Sequence, residues 1–424
     1  MKKILLPLHI ILLLQIAVSS TAQFSINAEY RARTELRDGY TVLSIPGTDP
    51  AVFVSQRARI SADYKNEFIH LRFTPQDVRI WGDEKLASST GVYGDEASLD
   101  LIEGFVGLKT GKAAWVYVGR QQLVYDNQRL LAARDWNQLG MAYDAAVLQL
   151  NLDQWKLHAG FSWNSNAESL ILEQYPSNRI RSLNFLWLNR KFTEEINSSL
   201  LHISSGSTES DTTTAMNFRH TTGLYSKYNI GAISVWADVY YQYGKNQAGN
   251  SISAVLFDAD VNYHTEILAI GAGISYLSGN KYDAATSDDH LFNSLYGARH
   301  KYFGSMDYFR DFSKHTAGRG LVDGYLYLTF TPIKTISISN TLHYFSLANE
   351  LSADQTDVYL GVENDLSLKV KLNKWAQLQA GYSVMSPGET LKVIQKIDDA
   401  KIPQFVYLQL TVKAELFTNQ TATN

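Results

Sequence analysis

The feature that most limits what this chain can fold into is an alternation of apolar and polar residues. It recurs almost from one end to the other, and the connections that break it are short and long in turn. Period-two stretches are read at about 24–34, 52–64, 67–80, 98–108, 113–123, 144–152, 155–163, 179–190 and 194–203. They continue at 214–226, 230–243, 251–263, 266–278, 317–331, 335–346, 357–371, 374–385 and 404–416. That makes about eighteen strands. The connections 35–51, 82–97, 124–143, 279–316 and 386–403 are long, whereas Lys65 and Asn66, 109–112, and Asp153 and Gln154 are tight. A soluble sandwich has no reason to gather every long loop at one end. A transmembrane barrel does, with short periplasmic turns and long extracellular loops. The predicted class is therefore all-β: a transmembrane antiparallel outer-membrane β-barrel of about 18 strands.

The faces of individual stretches agree. In GAISVWADVYYQY the outward set is Ile233, Val235, Ala237, Val239 and Tyr241, and the inward set is Ser234, Trp236, Asp238, Tyr240 and Gln242. In FVYLQLTVKAEL, Val406, Leu408, Leu410, Val412, Ala414 and Leu416 alternate with Gln409, Thr411, Lys413 and Glu415, which point inward. On the same parity Phe417 points inward too. Lipid-facing apolar residues thus balance lumen-facing polar ones, so mean hydropathy carries no information about location. The chain has 25 Tyr, 8 Trp and only 8 Pro, a composition suited to strands and membrane interfaces. It has no cysteine, which excludes a disulfide scaffold and thiolate metal sites.

Location is expected from residues 1–22. Lys2 and Lys3 precede the apolar run Ile4 to Val18, and Ser20 and Ala22 are small residues where a signal peptidase reads. The expected organisation is a signal peptide, 1–22, and a single transmembrane barrel domain, 23–424, in a Gram-negative type outer membrane in contact with its lipid.

Inward parity then assigns a lumen. Arg31 and Arg33, Arg57 and Arg59, Arg72, and Arg120 are expected along one wall, with Glu29 and Glu103 among them. Asp238, Asp258, Asp260, Asp323, Glu363 and Asp365 fall inward on later strands. Arginine suits bidentate contact with carboxylate or phosphate on a moving anion. Opposed basic and acidic rows equally suit a general or oligosaccharide-selective diffusion porin, where a transverse field screens solutes. The charges leave both readings open.

The stretch GRQQLVYDNQRLLAARDWNQ, starting at Gly119, resembles the alginate export family of outer-membrane barrels. A second similarity is LFNSLYGARHKYFGSMDYF at 291–309, ahead of GLVDGYLYLTFTP. RARTEL, QRARIS and FTPQDVRIWGD near the start have matching spacing. The resemblance covers nearly the whole mature chain. It implies an eighteen-stranded barrel whose arginine-lined pore passes an anionic polysaccharide or oligosaccharide, with periplasmic export components as candidate partners. It also implies that Arg120 and Arg129, with Asp126 nearby, belong to the constriction or its rim. The carboxylates on later strands depart from a uniformly basic conduit.

Other functions have weaker support. Asp288, Asp289, His290, Ser294 and His300 crowd one connection, raw material for nucleophilic catalysis that a polar loop also holds by chance. The expectation is no enzyme. No phosphate-cradling glycine loop, nucleic-acid motif or metal-ligand spacing is read, and no cofactor is expected. The strand pattern begins almost at Gln23, which leaves no room for a large plug domain. The 279–316 connection is too long for a simple link, and such loops are usually functional or disordered.

Overall fold

A computed structural model describes residues 22–83 and 98–419. The expected signal peptide, Ala22 apart, and most of the 82–97 connection lie outside the described residues. The strands are β1 Gln23–Asp38, β2 Ala51–Lys65, β3 Ile69–Ile80, β4 Ser98–Lys109, β5 Ala114–Gln121, β6 Tyr143–Leu152, β7 Trp155–Trp163, β8 Ser182–Lys191 and β9 Ile196–Thr208. Then come β10 Met216–Ile230, β11 Ile233–Lys245, β12 Ser251–His264, β13 Leu268–Leu277, β14 Leu321–Ile333, β15 Ile336–Ser346, β16 Tyr359–Lys371, β17 Ala376–Pro387 and β18 Gln404–Thr418. Each pairs antiparallel with its neighbour in sequence, and β1 pairs with β18, closing an 18-stranded sheet. Strand number and the alternation of connections are as the sequence predicts. The stretch read at 179–190 is extended only from Ser182.

Parity carried around the ring returns to itself. Arg31 lies opposite Arg57, Asp63 opposite Arg72, Asp238 opposite Asp258, His343 opposite Glu363, and Lys413 opposite Glu29 where the sheet closes. Two irregularities adjust it. Pro75, which has no N–H to give a ladder, sits at the register shift between β3 and β4. Near the end of β18 a bulge passes Leu416 by, so that Asn27 opposes Glu415 but Ile26 opposes Phe417. Phe417 is thereby turned outward, contrary to strict alternation, and its ring lies 6.0 Å from that of Phe24.

Arg120 is a second correction. It lies opposite Gly104 on β4 and Asp144 on β6, both on the outward parity, and it pairs with the exposed Asp144 at 3.0 Å. The inward residues of that rung are Gly119 and Gln121. Arg120 is therefore outside the lumen, at the long-loop end of β5.

Inside, aromatic rings lie against glycines on the facing strand. Tyr117 covers Gly107, Phe185 covers Gly160, Tyr240 covers Gly223, Tyr327 and Tyr325 cover Gly271 and Gly273, and Tyr407 covers Gly381. At each site a Cβ would overlap the ring. The buried apolar cluster is also inside the barrel, where Phe292, Met306, Tyr308 and Phe309 of the β13–β14 connection pack with Leu130 and Leu131 of the β5–β6 connection.

Leu326, near the middle of β14, is outward and exposed. Leu326→Arg should lower unfolding free energy by about 2–4 kcal/mol, while an arginine at the inward Ser367 should cost much less. Denaturant titration of the barrel in liposomes reads the difference.

Candidate functional site: the lumen constriction

The β5–β6 connection, 122–142, carries the run Leu130, Leu131 and Ala132, which is 0–1% exposed. Such a run is costly in water, and the loop buries it by turning into the barrel. Left-handed backbone at Asp126 and Gln128 makes the bend. Polar side chains then fasten it to several walls. Arg129 forms a bidentate pair with Asp258 on β12, donates to Ser275 on β13 at 2.7 Å, and stacks 3.8 Å from the Tyr302 ring. Asn127 donates to Asp238 on β11 at 2.5 Å. Asp126 accepts from Trp187 on β8 at 2.9 Å and from Ser199 on β9 at 2.6 Å.

The opposite side of the loop meets the arginines of β1 and β2. Arg31 donates to the carbonyls of Asp135 and Asn137 and to Gln138, at 2.7, 3.0 and 2.7 Å. Arg33 donates to the carbonyl of Trp136 at 2.9 Å and to Glu35 at 2.7 Å, and stacks 4.0 Å from the Trp136 ring. Arg57 binds Glu29 and Asp135, the latter at 2.9 Å, and Arg59 reaches the Leu139 carbonyl at 3.3 Å. Arg31, Arg33 and Arg57 are all buried. Expected to line a conduit, these three border chambers but spend their N–H groups on the 135–138 backbone, which they clamp against their wall. Arg72 is more open, paired with Glu103 at 2.7 Å and Asp63 at 3.5 Å.

The β13–β14 connection, 278–320, closes over the other half. Backbone N–H groups of Ser305 and Met306 donate to Asp365 and Glu363 at 3.1 and 2.9 Å. It is zipped to the first loop by Tyr296 N–H to the Leu130 carbonyl, Ala298 N–H to the Gln128 carbonyl, and Lys301 Nζ to the Asn127 carbonyl, at 3.1, 3.0 and 3.0 Å. Asp323, fully buried, pairs with His343 at 2.9 Å. Asp238 and Asp323 thus face inward, but loop residues or neighbouring side chains cover them. The polar side chains once considered for catalysis are held apart: His290 bonds the Ser253 carbonyl at 2.7 Å, Ser294 accepts from Arg299 at 2.8 Å, and His300 pairs with Asp307 at 2.9 Å.

Space remains on either side of the joined loops. Toward the long-loop end a cavity of about 470 Å³ is bounded by Arg33, Arg37, Arg79, Arg310 and Trp136. Toward the short-turn end lie chambers of about 490 Å³, with Arg59, Arg72 and Lys413, and about 600 Å³, with Lys371, Lys374 and Lys413. A further chamber of about 460 Å³ also reaches Trp136. Trp136 is therefore the partition between the two ends. Its ring stacks on His300 at 4.0 Å and meets Tyr407 edge-on at 5.0 Å.

The two loops that meet here carry the stretches on which the resemblance rested, and the family profile described as alginate export matches residues 22–401. The chain belongs to the alginate export family. No curated protein matches it. By fold it is similar to Pseudomonas aeruginosa OpdL, with a TM-score of 0.63, 14% identity, and coverage of 93% of this chain and 99% of that one. It is also similar to P. aeruginosa OccK9 (OpdG), TM-score 0.62 and 14% identity, and to OpdK with vanillate, TM-score 0.59 and 10% identity; each comparison covers 93% of this chain and 98% of the other. At such identities the likeness is one of fold. Family and closed barrel together make this alginate export family member an outer-membrane channel.

Sequence reasoning missed Trp136, Asn127, Gln138 and His300 as parts of the constriction. The signal was present, since a loop containing LLAA beside DWNQ must bury the first part and satisfy the second. Two outcomes follow for the loop. Arg129→Ala leaves Asp258 buried and unpaired, which should cost the docked loop about 3–5 kcal/mol. Single-channel conductance should rise, and 122–142 should lose hydrogen-exchange protection. Burial raises the pKa of the Asp126 carboxyl, opposed by the Ser199 and Trp187 hydrogen bonds, and its Oδ2 has no partner among the described residues. A raised pKa in the docked loop means docking is favoured below the ordinary carboxylate pKa and weakens as pH rises through the raised value. Open-channel noise should therefore fall on acidification from neutral pH, and Asp126→Asn should flatten that dependence.

Proposed function

We propose that this channel passes anionic oligosaccharide or polysaccharide passively along a cation-lined lane on the β16–β18 and β1–β3 walls. The observation that carries the reading is the group of cations at the short-turn end: Lys371, Lys413 and, from the β16–β17 turn, Lys374 beside one chamber, and Arg59, Arg72 and Lys413 beside the next. Lys371 is exposed to the lumen, and Lys374 lies 4.3 Å from the Trp375 ring. Neither is in an ion pair with a described carboxylate. In a narrow channel with low-dielectric walls such charges raise the local anion concentration. Polymer passage requires the joined loops to part at Trp136, whereas short anions need only the lane beside them.

A general diffusion porin is the second reading. It is favoured by local compensation, since Glu103 and Asp63 face Arg72, and Glu29 faces Lys413 at 3.2 Å. Reversal potential in a salt gradient separates the two. The wild type should prefer anions, and Lys371→Ala combined with Lys413→Ala should shift the preference toward cations, more at low than at high ionic strength as screening shortens the reach of each charge. An unchanged reversal potential at low salt would remove the basis of the anion lane and leave general diffusion as the better account.

A further inference from the structure

The chamber of about 460 Å³ on the β14–β18 side differs chemically from the cation lane. Its floor is aromatic. Tyr325 and Tyr327 stack with centroids 6.2 Å apart and planes 26° apart, so together they make an extended platform. Both lie over glycines of β13, where no Cβ props them away from the wall, and their faces are half-exposed to the chamber. Their hydroxyls donate to Asp260 at 3.2 and 3.1 Å, which fixes the rings in place. Tyr407, lying over Gly381, and Trp236 add two further faces.

The rim is polar and mostly neutral. Thr341, Ser367 and Gln379 line it. Asp365 uses Oδ2 to accept from Ser305 N–H at 3.1 Å, while its buried Oδ1 has no partner among the described residues. Lys301 closes the top, with its Nζ on the Asn127 carbonyl. Flat aromatic faces suit the C–H face of a sugar ring, and carboxylate, amide and hydroxyl groups suit the hydroxyls around its edge. Asp365 and the nearby Asp260 disfavour a second carboxylate on this floor.

We infer that this chamber is a subsite for a neutral pyranose unit, entered from the short-turn end and adjoining the cation lane at Gln379. The inference rests on the channel reading above, but not on its anion preference. A ring bound here sits directly below Trp136, at the entrance to the constriction.

The test is block of single-channel current by maltohexaose, applied to one face of a planar bilayer at a time, using the full protein. The wild type should be blocked from the short-turn face at lower concentration than from the other. Tyr325→Ala with Tyr327→Ala should weaken block at least ten-fold, and Tyr325→Phe with Tyr327→Phe should restore most of it, since stacking survives without the hydroxyls. Heat-modifiable migration shows which variants still form barrels. No block of the wild type, or equal block of the alanine variant when it is folded, would overturn the subsite. Lys371→Ala with Lys413→Ala should leave maltohexaose block unchanged while moving the reversal potential. A reversal potential left unchanged in that variant, with block intact, therefore defeats only the anion lane.

Discussion

Everything in this molecule follows from the absence of water in the bilayer core. Each strand must find hydrogen-bond partners on both edges, and only a closed ring supplies them for all strands. Closure also constrains register, because a slip of one residue would exchange the lipid face for the lumen face along a whole strand. The pairing of Glu29 with Lys413 at the seam and of Arg31 with Arg57 one step further shows that inward parity is conserved around the circuit. The bulge near Phe417 is placed where it does least harm to that agreement and most good to the lipid face.

A barrel of this size encloses more volume than its wall side chains fill, and here the excess is taken up by loops. That arrangement explains why so many charged side chains are buried. Arg129 and Asp258, or Arg57 and Glu29, would each be costly alone inside the protein, and each is matched. Their matching makes the constriction specific in position. Toward the short-turn end the matching is looser: Lys413 meets Glu29 at 3.2 Å, and Lys371 on β16 is in no ion pair among the described residues.

Much of the fold was legible because a strand announces itself through local alternation, and the alternation of loop lengths is equally local. Phe417 was misplaced because parity extrapolated along a strand fails at a bulge, where the partner decides which way a side chain points. Arg120 was misplaced although it shares the parity of the outward Val116 and Val118, which the register keeps to the end of β5. Arg31, Arg33 and Arg57 were assigned to the correct face, but the loop they hold was not foreseen. A linear sequence shows that an arginine points inward, yet what it meets there depends on a loop about eighty or a hundred residues away, as with Arg31 and the Asp135 carbonyl. Trp136 was passed over because a single aromatic in a loop carries no periodic signal.

The glycine and aromatic pairs on the inner wall have one more consequence. A tyrosine lying flat adds thickness to the wall instead of length toward the axis, so the glycine opposite controls the calibre of the bore without itself touching a solute. Replacing Gly271 or Gly381 by a residue with a side chain would lever Tyr327 or Tyr407 upright into the channel. The bore of this channel can thus be narrowed at chosen heights by exchanging the smallest residue for the next smallest, with the charges and the loops left as they are.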